Sequence, residues 1–165
     1  MRLVFTDVHY QGTAACAAAV VADRWEAQFP RSSRAVLRMP IADYVPGRFW
    51  ERELPCLLAV LDGLAPTLVV VDGYVWLDDA GRKGLGAHLH DAVGVPVVGI
   101  AKTAFDGSTH AREVVRGTSA RPLYVTTVGM PTDDAAAAVA RMHGAHRLPT
   151  LLTLVDHLAR AGRAT

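Results

Sequence analysis

Apolar and polar positions near the N-terminus predict three short strands in succession. Residues 3–6 form an apolar run that ends at Asp7, and residues 13–22 form a second run beyond a glycine turn signal. Residues 33–39 alternate apolar and polar side chains, with Ala35, Leu37 and Met39 on the inner side. Alanine weakens the strand signal of the second run, so a helix stays open there. We expect an antiparallel meander.

The middle of the chain alternates helical and strand patterns. Four leucines at i, i+3, i+4 and i+7 predict a helix that stops at Gly63, and they are Leu54, Leu57, Leu58 and Leu61. Residues 68–71 and 95–100 are apolar runs typical of strands that are buried on both faces of a parallel sheet. A helix over residues 87–93 is predicted between them.

The last third of the chain predicts a loop, a strand and two helices. Residues 103–120 are polar and indicate a loop, and residues 122–128 indicate a strand. Thr132 or Asp133 is expected to cap an alanine-rich helix that runs through Met142 and ends at Gly144. A final helix is expected over residues 151–161.

This order of elements predicts the fold class. Three strands in hairpin succession, followed by alternating helices and strands, are typical of a ribonuclease-H-like α/β fold with a central mixed sheet flanked by helices. The alternative is a flavodoxin-like doubly wound sheet, in which helices would separate the first three strands. Residues 13–40 decide between the two. A length of 165 residues suits a single domain.

Composition excludes several classes of protein. Hydrophobic residues make up 51% of the chain and charged residues 20%, as in ordinary globular domains. No apolar run approaches the roughly 20 residues of a membrane helix, and the N-terminus lacks the pattern of a signal peptide. Cys16 and Cys56 lie in apolar surroundings and are expected to be buried thiols. We therefore expect a cytoplasmic, monomeric protein that does not contact membranes.

Charge is unevenly distributed, although the net charge is only +1. Residues 1–81 carry an excess of acidic groups, and residues 82–165 carry an excess of basic groups. Such a division suits an enzyme that holds a metal ion on one side and a phosphate backbone on the other.

Two aspartates directly follow predicted strands. Asp7 ends Leu-Val-Phe-Thr-Asp, and Asp72 follows Leu-Val-Val-Val. A carboxylate at the end of a buried strand lies at the carboxyl edge of the sheet, where open α/β sheets place their sites. If the strands are neighbours, the two anions repel and require a shared proton or a metal ion, for which Mg²⁺ is the natural choice. The alternative is that each aspartate only begins a turn or caps a helix.

Two further acidic residues border predicted apolar helix faces. Glu53 lies about one turn before Leu57, and Asp156 lies one turn after Leu152. A carboxylate beside a core-facing surface requires a partner, although an acid in a first helical turn is also favoured by the helix dipole. His157 is a rival to Asp156 as a metal ligand.

Stretches spread along the chain resemble the motifs of the endonuclease V family, in the order in which that family carries them. They are Phe5-Thr6-Asp7-Val8-His9-Tyr10, Tyr44-Val45-Pro46-Gly47 followed by Arg52-Glu53-Leu54-Pro55, Val71-Asp72-Gly73, Gly84-Leu85-Gly86-Ala87-His88, Gly99-Ile100-Ala101-Lys102, and Leu148-Pro149 followed by Asp156. The resemblance extends over residues 3–160.

This resemblance implies a ribonuclease-H-like endonuclease that uses Mg²⁺ or Mn²⁺ to cut DNA or RNA near a deaminated purine, chiefly inosine. The metal ligands that it implies are Asp7, Glu53 and Asp72, with Asp156 in the place of a further ligand. Lys102 matches a lysine near the scissile phosphate. A wedge that enters the duplex beside the flipped base is implied for Tyr44, Val45 and Pro46. The base pocket that it implies is lined by Gly47, Gly73, Gly84 and Leu85.

The chain departs from the family pattern around the base pocket. Asp43 stands where the wedge usually begins with proline, and residues 74–79 replace a segment that usually carries two histidines. The basic segment after Lys102 is shortened, and Gly129-Met130 replaces a glycine-histidine pair. Metal binding depends less on these positions than lesion recognition does. The sequence thus predicts a metal-dependent phosphodiesterase. The alternatives are a nucleic-acid-binding relative without turnover and a flavodoxin-like small-molecule enzyme.

Overall fold

A mixed seven-stranded sheet forms the centre of this protein. The computed structural model describes residues 1–38 and 41–162. The strands are β1 (Leu3–Gln11), β2 (Ala14–Ala22), β3 (Ser32–Arg38), β4 (Leu68–Asp72), β5 (Val97–Ala101), β6 (Arg112–Val114) and β7 (Leu123–Val128). The helices are α1 (Trp50–Leu61), α2 (Leu85–Val93), α3 (Thr132–Ala140) and α4 (Thr150–Ala161). Across the sheet the strands lie in the order β3-β2-β1-β4-β5-β7-β6.

The strand pairings confirm the predicted ribonuclease-H-like arrangement. β1, β2 and β3 form the expected antiparallel meander, and β4 and β5 continue the sheet parallel to β1. Since residues 14–22 and 32–38 are strands, the flavodoxin-like alternative is wrong. The hairpin between β1 and β2 turns at Gly12, whose φ of +61° is accessible to glycine at little cost.

Both faces of the sheet are buried, each against its own helices. Leu3 and Phe5 belong to the core on the side of α3 and α4, together with Val155. Val4 and Val69 belong to the core on the side of α1 and α2, together with Leu57. Alternate side chains of one strand therefore meet different helices, which explains why these strands read as continuous apolar runs rather than as alternating ones.

Some local predictions were wrong at the margins of the sheet. Residues 103–120 are not entirely loop, because Arg112–Val114 pairs with β7. Leu37 is 58% exposed rather than inward, since β3 is an edge strand; Met39 lies outside the described residues. The helix predicted through Met142 ends at Ala140, and Pro131 rather than Thr132 or Asp133 occupies its N-cap position.

Two other expectations concern the cysteines and the lengths of the helices. Cys16 and Cys56 are buried free thiols, as predicted. Among the described residues, every helix is too short or too polar to cross a lipid bilayer.

Arg116 is a buried cation that the polar sequence around it did not reveal. Only 6% of the residue is exposed. Its guanidinium donates hydrogen bonds to the carbonyl oxygens of Met142 (2.5 Å), Gly144 (3.1 Å), His146 (2.9 Å) and Arg147 (3.3 Å). Burial lowers the pKa of this guanidinium. Arg116 thereby fixes the connection between α3 and α4, and this connection leads into the helix that carries Asp156.

We predict that Arg116→Met lowers the free energy of unfolding by about 2–4 kcal/mol, because it leaves buried carbonyl oxygens without donors. Urea denaturation followed by circular dichroism measures the change. Arg112→Met is the matched control, since Arg112 is half exposed and forms a surface ion pair with Asp133. Equal losses in the two variants would contradict the role assigned to Arg116.

Candidate metal and nucleic-acid site

Asp7 and Asp72 lie side by side where strands β1 and β4 part. The parallel pairing of these strands ends at Thr6 with Val71, so the two aspartates are the next residues on adjacent strands. Asp72 is the last residue of β4, one position earlier relative to the strand than predicted. Asp7 is not the end of its strand, because β1 continues to Gln11 as a hairpin with β2. The sequence nevertheless placed both carboxylates correctly at this edge of the parallel strands.

Glu53 reaches the same place from helix α1. It is only 8% exposed, and it lies on the buried face formed with Cys56, Leu57 and Val60, at i, i+3, i+4 and i+7. The buried face of α1 is therefore rotated from the one that the leucine stripe predicted, and Leu58 is 38% exposed. Glu53 belongs to the centre of the buried face rather than to its border.

Asp156 reaches the site from helix α4, which packs on the other face of the sheet. Asp156 lines a cavity together with Asp7, Asp72 and Lys102, whereas His157 is exposed. Of the two candidate ligands, Asp156 is thus the one that faces the other carboxylates. Its carboxylate also accepts a hydrogen bond of 2.9 Å from Arg160, and this bond lowers the Asp156 pKa.

The three carboxylates of Asp7, Glu53 and Asp72 line a small cavity of about 10 Å³. That volume corresponds to roughly one water molecule or one small ion. Burial, reinforced by the charge of Asp72, raises the Asp7 pKa to about 7. Burial, reinforced by Asp7 and Asp72, raises the Glu53 pKa to about 8. At neutral pH the cluster therefore favours protons or cations.

Lys102 supplies a cation from the chain itself. Its ammonium group donates a hydrogen bond of 2.6 Å to Asp72 Oδ2. Burial alone would lower the Lys102 pKa, but the hydrogen bond to Asp72 and the charges of Asp7 and Asp156 outweigh it and raise this pKa. The backbone of Lys102 is held by Arg147, which donates hydrogen bonds to the carbonyl oxygens of Lys102 and Pro122.

The donor set at this edge fits a hard divalent cation. Mg²⁺ prefers oxygen ligands, and these line a cavity of ionic size. Burial and mutual repulsion raise the pKa values of Asp7 and Glu53, so a cation would relieve the cost of ionising these carboxyls. Within residues 1–38 and 41–162, however, no three His, Cys, Asp or Glu side chains are arranged for simultaneous coordination of one ion. Lys102 and Arg160 engage two of the carboxylates. Metal binding would therefore require the carboxylates and these two cationic side chains to reorient.

The residues of the predicted wedge lie in a loop that precedes α1. Tyr44 is 58% exposed and Val45 41% exposed, and Pro46 and Gly47 are exposed as well. The guanidinium of Arg52 lies 4.5 Å from the centre of the Tyr10 ring and 6.0 Å from that of Tyr44. This cation between two rings connects the exposed tyrosine to the helix that carries Glu53.

The residues of the predicted base pocket line one larger cavity. Gly47, Gly73, Gly84 and Leu85 surround a space of about 360 Å³ that also reaches Asp72, a size typical of ligand pockets. A side chain at Gly84 would place its Cβ 2.5 Å from the carbonyl oxygen of Tyr74. Gly84 is thus required for the close approach of two backbone segments behind the pocket.

Sequence reasoning missed several residues that complete the site. Tyr10 faces Glu53, and burial together with that carboxylate raises the Tyr10 pKa. Arg147 fixes Lys102, and Tyr74, Arg82 and Phe105 line the larger cavity. Tyr10 ends the first quoted motif and Arg147 directly precedes another, but neither was given a role, and their place in the sequence was the only signal for them. Tyr74 and Phe105 lie in segments where the chain departs from the family pattern, whereas Arg82 carried no signal in the sequence.

We predict that, without metal, the melting temperature falls as pH rises from 5 to 8. The folded-state pKa values of Asp7 and Glu53 lie above their unfolded values, so the unfolded state binds fewer protons in this interval and stability decreases. Asp7→Asn and Glu53→Gln should each flatten this decline and raise the melting temperature at pH 8. The gain is about 2–4 °C for each kcal/mol of relieved repulsion.

Differential scanning calorimetry in chelator measures this dependence. Asp133→Asn serves as the control, because the Asp133 side chain is 74% exposed and pairs with Arg112 away from the cavities. A wild-type melting temperature that rises between pH 5 and 8 would show that the two carboxyls are not crowded as described.

Comparisons with known proteins agree with the predicted resemblance. The family model described as Endonuclease V matches residues 2–138. The endonuclease V of Streptomyces coelicolor is 35% identical over 97% of this chain and 78% of its own length. The endonuclease V of Streptomyces avermitilis is 31% identical over 96% of this chain and 79% of its own length.

Solved structures agree in fold. The crystal structure of endonuclease V from Streptomyces avermitilis has a TM-score of 0.80 at 27% identity, and the match covers 98% of this chain and 80% of that one. Ciona intestinalis endonuclease V, in complex with a 24mer DNA containing an inosine followed by a ribo-adenosine, has a TM-score of 0.79 at 16% identity, over 97% of this chain and 84% of that one. Since the family model covers most of the sequence, this chain belongs to the endonuclease V family of nucleases, with their ribonuclease-H-like fold.

Proposed function

We propose that this chain is a divalent-metal-dependent endonuclease that hydrolyses a phosphodiester bond near a deaminated purine, chiefly inosine, in DNA or RNA. The observation that carries the proposal is the convergence of Asp7, Glu53 and Asp72, from three separate elements, on one cavity of ionic size. The proposal treats the chain as a single domain that acts as a monomer.

The carboxylates in this proposal hold the ion. Asp7, Glu53 and Asp72 would hold it, and Asp156 would be a further ligand if its ion pair with Arg160 opened. Mg²⁺ is the expected ion, and Mn²⁺ can replace it. When bound, the ion stabilises the negative charge that develops on the phosphate during hydrolysis.

Lys102 and Arg147 have separate roles in the proposal. Lys102 brings its ammonium group to the scissile phosphate, where its charge opposes the charge that builds up on the phosphate oxygens. Its position beside Asp72 supports this role, because the ammonium group already lies at the edge where the ion would bind. Arg147 touches no reacting atom and acts as a positioning residue for the Lys102 backbone.

Base recognition in this proposal belongs to the wedge and the larger cavity. Tyr44, Val45 and Pro46 enter the nucleic acid beside the target base and keep it out of the stack. The base then occupies the cavity that Gly47, Gly73, Gly84 and Leu85 line. That cavity and the carboxylate cluster share Asp72, which supports a bound base lying next to the proposed cleavage site.

The alternative is a ribonuclease-H-like protein that binds nucleic acid without cleaving it. Two observations favour this alternative: the altered residues 74–79 beside the larger cavity and the ion pair between Lys102 and Asp72. The cleavage assay below separates the two functions, since both predict binding and only one predicts turnover.

We predict that the wild-type chain nicks inosine-containing DNA or RNA in Mg²⁺ and that chelator abolishes the reaction. Asp72→Asn should lower the single-turnover rate by at least about 10³-fold, because it removes a charged ligand worth several kcal/mol in the transition state. Gel analysis of oligonucleotides with inosine, uracil, an abasic site or no lesion measures the rates. Full activity of Asp72→Asn in Mg²⁺ would refute the proposed site.

A second readout for the same site does not depend on turnover. Mg²⁺ should raise the melting temperature of the wild-type chain by binding the folded state, and it should raise those of Asp72→Asn and Glu53→Gln much less. Asp133→Asn is the control in both assays and should behave as wild type. Equal stabilisation of all four proteins would place the ion elsewhere.

We predict that Tyr44→Ala lowers cleavage of inosine in a duplex by about 10-fold or more, since stacking of an aromatic ring on a base is worth roughly 1–3 kcal/mol. Cleavage of a single-stranded inosine substrate should fall less, because no partner strand has to be held apart. The ratio of kcat/KM on the two substrates measures the effect. Phe29→Ala, which removes a 74% exposed ring between β2 and β3, is the control, and an identical change in ratio there would exclude a wedge function for Tyr44.

A further inference from the structure

One wall of the larger cavity comes from two connections that each include a departure from the family pattern. Tyr74, Leu77 and Arg82 come from the connection between β4 and α2, and Phe105 comes from the connection after β5. None of these four was assigned a role above. Together with the glycines they decide which chemical groups a ligand in the cavity meets.

Asp79 ties these two connections to each other. Its carboxylate accepts hydrogen bonds from the Thr109 backbone N–H (2.9 Å) and hydroxyl (2.5 Å), and it lies 2.7 Å from His110 Nδ1. Tyr74 adds a further tie, since its hydroxyl donates to the carbonyl oxygen of Thr103 at 2.9 Å. Hydrogen bonds therefore hold the β4–α2 connection and the connection after β5 together in this wall.

Arg82 is held in this wall by two contacts that leave part of its guanidinium unused. Its Nε lies 3.2 Å from Asp78 Oδ2, and its Cζ lies 5.7 Å from the centre of the Phe105 ring. The Phe105 ring in turn lies 5.9 Å from the Tyr74 ring. The ion pair at Nε and the ring contact leave the two terminal nitrogens able to donate as a pair to a ligand in the cavity that Arg82 lines.

The other polar side chains of the cavity offer little to a ligand. Lys83 is engaged by Asp91 at 2.5 Å, and the Tyr74 hydroxyl is engaged by Thr103. Asp72 is the one carboxylate among the residues that line this cavity, and it belongs to the metal cluster. Away from Asp72, the side-chain groups left to contact a base are therefore donors and aromatic or apolar surfaces.

We propose that Arg82 determines the preference of this cavity for a 6-oxopurine over adenine; this inference rests on the proposed function. A 6-oxopurine presents two acceptors, O6 and N7, on one edge, and this edge pairs with the two donors of an arginine. Adenine presents an amino group at position 6, which would place a donor against a donor. Guanine shares the O6 and N7 edge, so Arg82 does not distinguish inosine from guanine.

A contact to phosphate is the competing role for an arginine at this position, and the two roles have different signatures. Loss of a phosphate contact weakens binding about equally for every sequence, whereas loss of a base contact relaxes the preference at one position. Arg82→Met removes the donors and the charge. Arg82→Lys keeps the charge but loses the paired donors.

The test compares oligonucleotides that carry inosine, guanine or adenine at one position. Cleavage is measured in Mg²⁺ as kcat/KM, and equilibrium binding is measured in chelator by fluorescence anisotropy. In both Arg82 variants the preference for inosine over adenine should fall by about 10- to 100-fold, while the ratio of inosine to guanine stays unchanged. Arg31→Met is the matched control, because Arg31 is similarly exposed and lies 3.2 Å from Asp23.

The outcomes separate this inference from the proposed function. If the wild type binds inosine in preference to adenine but does not cleave, the nuclease proposal fails and Arg82 is judged on binding alone. Retention of the full preference in both variants overturns the role of Arg82. Equal losses on all three bases in Arg82→Met, restored by Arg82→Lys, also overturn it and identify a phosphate contact. A wild type without preference in either assay overturns both proposals.

Discussion

Repulsion between carboxylates at the end of one parallel strand pair is the constraint on which this edge of the molecule depends. Asp7 and Asp72 are adjacent because the pairing of β1 with β4 stops one residue earlier, and Glu53 is brought against them by a buried helix face. Desolvation and like charge make this arrangement costly when all groups are ionised. Lys102 and Arg160 offset part of that cost in the structure as it stands, and under the proposed function an external cation would take over this role.

The fold was predictable because its information is local. Continuous apolar runs identified β4 and β5, turn residues separated β1 from β2, and the order of elements selected the topology. The segment after Lys102 was harder, since β6 is only three residues long and gains its place by pairing with β7. The role of Arg116 could not be predicted either, because it also depends on contacts that are distant in the sequence. Its hydrogen-bond partners are backbone carbonyl oxygens about 30 residues away, and no pattern of side chains indicates them.

In the candidate site, too, residues with a local sequence signal were predicted and residues that depend on distant contacts were not. The ends of the apolar runs were enough to single out Asp7 and Asp72. Glu53 was singled out because a carboxylate lies one turn from core-facing residues of the helix, and this holds although the predicted buried face was rotated. The family resemblance supplied the predicted wedge and the predicted base pocket, and the structure brings the residues of that pocket together around one cavity. Arg147 and Arg82 could not be predicted, since their importance lies in contacts between loops rather than in periodicity.

Asp72 lies between the small carboxylate cavity and the larger cavity, so a base in the larger cavity would affect the carboxylates. It lines the small carboxylate cavity as well as the larger cavity, and Leu85 does the same. Under the proposed function, a base that fills the larger cavity displaces water beside Asp72 and lowers the local dielectric constant. The interactions between carboxylates, cation and phosphate then become stronger. A correct base would thus increase the rate of cleavage more than the affinity, because its binding free energy acts in the transition state.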